Sequence, residues 1–338
     1  MRGVTKVFCG MILATGIWNM RSAVAADPSP PVGSKFGERA PDFPPGQFSD
    51  GGHYSLADFQ GKVLVLFFYE NSCPRCRGLI PERNAVVAAF KDKPVKFLAI
   101  GPHDTLADVR DYFTTTRLAM PIFADPFGVM QKRYGFAISL QNIYQFRVLG
   151  PDGVVRGYDM TNEDITKAIQ DIQWKYKDKG YDARLNPAIE AFEWNQWLAG
   201  MKLLRPHLAA LDKAEKESAQ KLFNEIKALG EQWKADAETA TGSDPVKAFD
   251  LYQRVASVFE GDDLAKSVAQ PLAELRKKKE ITAELDARKD YAQLEIALGR
   301  ATADQKNQVL AFCRTFVKNH ADTPTAVKVQ AYLDDLTK

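Results

Sequence analysis

Short apolar runs alternate with helix-like stretches from Phe36 to about Lys177. Val63 to Tyr69 is an unbroken hydrophobic run, the pattern of a strand buried on both faces. Pro74 to Phe90 follows with helical spacing, and Pro81 inside it predicts a kink. Val95 to Ile100 reads as a second strand, ending at Gly101. Thr105 to Thr114 reads as a helix, with Thr105 a cap ahead of Asp108. Pro121 to Ala124 is a short strand, and Gly128 to Tyr134 a helical turn or two. Gln145 to Leu149, the turn Gly150-Pro151-Asp152-Gly153 and Val154 to Gly157 predict a hairpin. Glu163 to Tyr176 closes the segment as a helix. A β-α-β unit, a hairpin and a last helix imply an α/β fold, with a central mixed sheet and flanking helices.

Beyond Lys177 strand signals vanish, and an Ala-, Leu-, Lys- and Glu-rich stretch with helical periodicity runs to the end. Two windows, Phe249–Leu275 and Leu310–Leu336, align without a gap at an offset of 61. They share Ala265/Ala326, Val268/Val329, Leu272/Leu333 and Leu275/Leu336, all on one helical face. Each window has a turn at its middle, Glu260 to Asp263 and Ala321 to Pro324. A C-terminal all-α domain of repeated helical hairpins is expected, resembling a divergent tetratricopeptide-type array, with generic amphipathic helices as the competing reading. Such arrays offer grooves and rarely perform chemistry, so this part is expected to bind a protein partner or to position the first domain.

At 338 residues the chain is long enough for two domains. The first 25 residues read as a secretory signal: Arg2 and Lys6, an apolar core from Val7 to Trp18, and Ala23-Val24-Ala25 as a cleavage site. An uncleaved anchor is the alternative. Residues 26–35, rich in proline, form a linker, leaving 36–177 as the α/β domain and 178–338 as the helical one. An exported, periplasmic or extracytoplasmic location follows. Without Arg2, Lys6 and Arg21, 42 basic residues face 43 acidic ones. That balance offers no electrostatic case for nucleic acid or for strong membrane binding.

Three cysteines lie outside the signal: Cys73, Cys76 and Cys313. Cys313, within an amphipathic stretch, reads as a small buried apolar residue. Cys73-Pro74-Arg75-Cys76 follows the long strand and opens a helix. Free amide groups and the positive dipole end of that helix favour a thiolate on Cys73. Cys76, one turn on, is placed to close a disulfide and release a bound partner. Arg75 and Arg77 add positive charge nearby, which should lower the Cys73 pKa further. An inert disulfide or half of a zinc site are the alternatives, but no second C-x-x-C or H-x₃₋₅-H accompanies the pair. No organic cofactor and no metal is implied. Of the histidines, His103 alone follows a strand end near this site, and it reads as a surface-loop residue. Trp194 and Trp197 read as core at the start of the helical part.

The chain resembles the thioredoxin superfamily, in the exported redoxin branch of AhpC/TSA type shared by peroxiredoxins and cytochrome c maturation thioredoxins. The resemblance rests on Gly37 to Phe43, Tyr54 to Val63, Cys73-Pro74-Arg75-Cys76, Pro81, Asp125-Pro126-Phe127-Gly128 and Gly150 to Gly153. It covers about 140 residues and implies a thioredoxin-like fold. It makes Cys73 the exposed attacking sulfur and Cys76 the resolving one. Three departures stand out. The cis-proline of the family falls near Tyr144, within Gln141 to Phe146. The buried acid six residues before the first cysteine is Phe67, with Glu70 as a substitute proton relay or a solvated loop carboxylate. The acid of the cytochrome-maturation branch falls at Leu79. Against the peroxiredoxin signature P-x-x-x-T/S-x-x-C, this chain has Leu66 and Glu70, and a carboxylate at Glu70 repels the thiolate it should assist.

The resulting expectation is thiol–disulfide exchange with a protein thiol or disulfide substrate and a protein electron donor. Pro74, Arg75, Glu70 and Tyr144 would activate or position the dithiol. The alternative is a non-catalytic interaction or metal-binding protein derived from a redoxin; a peroxidase is disfavoured.

Overall fold

The computed structural model describes residues 33–338. The signal reading and most of the linker lie outside the described residues.

The α/β segment is built on a five-stranded sheet in the order β3-β2-β1-β4-β5. Strand β1 (Val63–Tyr69) is fully buried, as its unbroken apolar run predicts. It pairs in parallel with β2 (Val95–Pro102), which pairs in parallel with β3 (Ile122–Asp125). On its other side β1 pairs antiparallel with β4 (Tyr144–Leu149), and β4 with β5 (Val155–Gly157). Val63, Val65, Phe67 and Tyr69 face one core, with Tyr112 and Phe146; Leu64, Leu66 and Phe68 face another, with Phe123 and Tyr134. The period-two alternation of the strand feeds both faces of the sheet at once.

The helix expected over Pro74 to Phe90 is two: α1 (Pro74–Gly78) and α2 (Ile80–Ala89), parted at Leu79. Pro81 has no N–H to give and its ring would strike the Arg77 carbonyl, so the chain restarts a helix with proline in its first turn. Helix α3 (Leu106–Thr116) opens on the expected cap: Thr105 Oγ1 accepts from the Asp108 amide at 3.3 Å, and Asp108 Oδ2 accepts from the Thr105 amide at 2.9 Å. Helix α4 (Val129–Arg133) is short. Helix α5 (Asn162–Ile169) stops well before Tyr176, shorter than its periodicity suggests.

Eight helices follow: α6 (Asn186–Glu193), α7 (Trp197–Leu208), α8 (Lys213–Ala240), α9 (Pro245–Val258), α10 (Asp263–Arg276), α11 (Lys279–Arg300), α12 (Lys306–Asn319) and α13 (Pro324–Thr337). Adding 61 to the bounds of α9 and α10 gives those of α12 and α13, residue for residue. Val268 and Val329 are fully buried in the two hairpins, as are Leu275 and Leu336. Helix α11 links them. Arg288 holds Asp250 of α9 at 2.6 and 2.8 Å and Glu284 at 2.7 Å, while Glu284 accepts from Thr325 Oγ1 at the head of α13.

The helices pack against the α/β segment. Buried Glu193 of α6 meets Lys62, just before β1, at 3.0 Å, and Arg133 of α4 meets Asp335 of α13 at 2.8 Å. Phe127 and Val129 share a core with Leu294, Leu298, Tyr332 and Leu333. Cys313 is buried in this core as a free thiol, the role its sequence setting suggests.

Candidate active site

Strand β1 delivers the chain to the dithiol and β4 faces it. Tyr69 and Tyr144 are partners in register, and beyond them the Glu70 amide donates to the Ile143 carbonyl at 3.0 Å. Cys73 caps α1, with Pro74 in the first turn supplying a preset φ where no amide donor is needed. Both cysteines are free thiols.

The two sulfurs are held differently. The Cys76 amide stabilises the Cys73 thiolate and lowers its pKa, against the cost of desolvation; the Cys76 thiol and the Arg75 amide add to the lowering. Burial pushes the Cys76 thiol up to about 11. Its Sγ donates to the Ile143 carbonyl at 3.2 Å. One sulfur is poised to ionise and the other to stay protonated.

Three expectations are corrected here. Cys73 is covered, at 5% exposure, and its side chain makes no capping hydrogen bond to α1. Hydrogen bonding still outweighs desolvation at this sulfur. Arg75 acts on Cys73 through its backbone amide, while its side chain is exposed. The Arg77 guanidinium turns away, lying 5.0 Å over the Tyr112 ring and donating to Asn71 Oδ1 at 3.0 Å.

Glu70 is half-buried, and its Oε1 accepts from the Ser72 hydroxyl at 2.7 Å and the Ser72 amide at 3.1 Å. Its charge raises the pKa of both cysteines, the opposite of the activation a peroxidase needs. Among the described residues every peptide bond is trans, including the one before Tyr144. The Tyr144 ring is half-buried, and the Arg83 guanidinium lies 5.5 Å over it. What β4 offers the dithiol is the Ile143 carbonyl. Phe67 fills the place of the family's buried acid and stacks on Phe146 at 5.1 Å. His103 is exposed, with a backbone φ of 68°, and its Nε2 meets Gln131 Nε2 at 2.7 Å.

A buried acid is nevertheless present, from an element the sequence pattern did not single out. Asp104, in the turn between β2 and α3, is 8% exposed and accepts from Tyr69 Oη and Asn71 Nδ2, each at 3.2 Å. Burial pushes its carboxyl up to about 6. Tyr69 stacks on Tyr112 at 4.4 Å, and Arg77 covers Tyr112. A closed circuit, Tyr69–Asp104–Asn71–Arg77–Tyr112, therefore ties the residue after Cys76 to this carboxyl. The buried Tyr112 hydroxyl has no hydrogen-bond partner, and charge on either cysteine raises its pKa. The signal in the sequence was a lone acid at a strand end, which is also what a solvated turn looks like.

Among the described residues no group of three or more His, Cys, Asp or Glu side chains is gathered to hold a metal, and no helix is long and apolar enough to cross a membrane.

Residues 36–158 match the model of the AhpC/TSA family. Thiol-disulfide oxidoreductase ResA of Bacillus thuringiensis subsp. konkukian is 29% identical over 101 residues, 30% of this chain and 58% of that protein. ResA of Geobacillus thermodenitrificans is 25% identical over 137 residues, 40% of this chain and 78% of that protein. The chain thus spans a little under three fifths of the length of the first of these relatives. A putative thiol:disulfide interchange protein DsbE from Chlorobium tepidum matches in structure, with 22% identity, a TM-score of 0.34, and coverage of 40% of this chain and 94% of that one. Residues 36–158 are thus similar to the AhpC/TSA family, and a helical C-terminal region follows them.

Proposed function

We propose that this protein is an exported thiol–disulfide oxidoreductase that acts on protein thiols or disulfides through Cys73 and Cys76. One observation carries the reading: two free thiols one helical turn apart whose acidities are driven in opposite directions, Cys73 down and Cys76 up. That asymmetry supports the following order of events. The Cys73 thiolate attacks a partner disulfide, forming a mixed disulfide and expelling one partner thiolate. Cys76 then attacks Cys73 Sγ, its proton passing to the second departing partner sulfur. The partner is reduced by two electrons and the dithiol becomes a disulfide, which a protein electron donor reduces again. Run backwards, the same steps oxidise a partner dithiol.

The helical region, 178–338 in this reading, positions the redoxin domain through the Lys62–Glu193 and Arg133–Asp335 pairs and the core around Phe127. Its hairpins leave further surface for a partner. The relatives named thiol-disulfide oxidoreductases support the chemistry, and an extracytoplasmic site agrees with the leader pattern at the start of the chain.

The test is turnover on a protein disulfide such as insulin with a supplied reductant. Wild type should turn over, Cys73→Ser should not, and Cys76→Ser should accumulate a mixed disulfide that reductant releases. Equal rates for wild type and Cys73→Ser would overturn the enzyme reading and leave a redoxin-derived interaction protein.

A further inference from the structure

At the opposite end of the sheet from the dithiol, the redoxin and helical regions leave a cleft of about 600 Å³ between them. It lies where β1 and β2 begin, beside the Val63–Val95 pairing, whereas Cys73 follows the far end of β1. Its volume falls within the usual range for small-molecule sites. The walls are largely apolar: Phe59 and Leu98 of the sheet side, Val87 and Ala88 of α2, and Trp194 after α6.

The polar groups on the walls sort into used and unused. Asn84 is consumed by the Arg117 carbonyl and the Ala119 amide, both at 2.8 Å. Asp58 accepts from the Ser55 hydroxyl and amide. Trp194 Nε1 donates to Glu190 Oε1 at 2.7 Å, and the other oxygen of Glu190 pairs with Lys177 at 3.3 Å. Lys96 remains. Its ammonium sits 4.4 Å over the Trp194 ring, and among the described residues it has no carboxylate within ion-pair distance. Lys91, at the end of α2, lines the same cleft and is likewise without an ion-pair partner among the described residues. Desolvation lowers the Lys96 pKa in spite of its exposure, with the nearby Glu190 opposing and Lys177 reinforcing, as expected of an ammonium set against an apolar wall with no carboxylate in direct contact.

We infer that this cleft binds an amphiphilic carboxylate, a small molecule with an apolar chain and one acid group. The chain would lie against Phe59, Leu98 and Trp194, and the acid would meet Lys96. The ammonium over the indole supplies charge at the mouth, and the apolar walls supply the burial area that drives entry. The site is independent of the redox reading: it uses neither cysteine and would stand if turnover failed.

The experiment is calorimetric titration of the full-length protein with decanoate, below its micelle concentration, and with decanol as the uncharged comparator. Wild type should bind decanoate saturably at one site. Lys96→Ala should weaken decanoate by about tenfold, the loss expected on removing one charge-assisted contact, and leave decanol within about twofold. Ala88→Trp, on the exposed side of α2, should fill the cleft and abolish binding of both. Absence of saturable decanoate binding to wild type, or equal decanoate affinity in Lys96→Ala, would overturn the proposal. Undiminished binding to a folded Ala88→Trp would place the ligand elsewhere and overturn it too. Should Ala88→Trp not fold, the Lys96→Ala comparison of acid against alcohol still decides.

Discussion

The Cys76 thiol donates to the Ile143 carbonyl at 3.2 Å, so the entrance to β4 holds the resolving sulfur in its protonated form. Burial works in the same direction, raising that thiol to about 11. In Cys73→Ser, alkylation of Cys76 by iodoacetamide should therefore be slow through pH 7 to 9 and rise only in strong alkali. In Cys76→Ser, Cys73 should react faster than an ordinary thiol at pH 7, because the amide that holds its thiolate is backbone and survives the substitution. Equal alkylation rates at the two sulfurs would remove the asymmetry on which the order of attack rests.

Glu70 opposes the dithiol electrostatically, raising both cysteines. Glu70→Gln keeps an oxygen for the Ser72 hydroxyl and removes the charge. The midpoint of Cys73 alkylation should move to lower pH, because a nearby negative charge that opposes the thiolate is gone. A shift upward would show that Glu70 assists ionisation through a proton relay instead.

Asp104 should leave a mark on stability. Its folded-state pKa, about 6, lies above the ordinary carboxyl value, so the native state holds its proton more tightly than the unfolded chain does. Stability is then greatest at and below pH 4 as far as this group goes, and falls as pH rises towards 6. Asp125, buried beneath α4 and also raised to about 6, works in the same sense. Asp104→Asn should remove its own share of that fall, on the order of 2 kcal/mol at most. Urea midpoints at pH 4.5 and 6.5 check it: the variant should lose less stability between the two than wild type does.

How far the sequence could be read depended on whether the cause was local. Val63–Tyr69 was legible to the residue, because a strand buried on both faces must be continuously apolar. The two helical hairpins were legible as a repeat, since the same face is buried in each. The break at Leu79 was half-legible: Pro81 announced a disturbance, but whether a helix bends or restarts depends on what its flanks pack against. The helix expected through Tyr176 ended at Ile169 for a tertiary reason. Trp174 meets Trp194 edge-on at 6.0 Å, and Tyr176 enters the core of the helical region. At the site, Cys73 and Cys76 announced themselves by spacing, whereas Asp104 is hydrogen-bonded to Tyr69 and Asn71, residues more than thirty positions away.

Gly230 sits within α8, where a helix former would ordinarily be preferred. A β-carbon there would lie 2.3 Å from the Phe259 ring and 2.9 Å from Leu264, at the corner between α9 and α10. The glycine is the price of that close crossing. Gly230→Ala should destabilise by about 1–3 kcal/mol through overpacking. Gly78 is the converse: nothing lies within 4 Å of its missing β-carbon, and α1 should tolerate alanine there. Thermal midpoints of the two variants should move in clearly different degree, and equal small shifts would mean that the α8 crossing relaxes freely.

The Lys62–Glu193 pair joins the sheet to the first helix of the C-terminal region at 3.0 Å, with the carboxylate side chain fully buried. Burial alone would raise the Glu193 pKa. The Tyr176 and Lys177 amides and Lys62 outweigh it, and the net shift is downward. A depressed carboxyl contributes stability above the ordinary carboxyl value, and that contribution is lost as pH falls through the folded value. Lys62→Met strips the cation and leaves the carboxylate buried on two amides. It should cost about 3–5 kcal/mol at pH 7, the loss typical of breaking a buried pair. The deficit should shrink as pH falls below the ordinary carboxyl range, and wild-type and variant unfolding curves should converge only once the depressed Glu193 of the wild type is itself protonated. A deficit independent of pH would locate the damage in the packing of the Lys62 stem, whose ammonium also lies 5.1 Å over the Trp174 ring, and not in the ion pair.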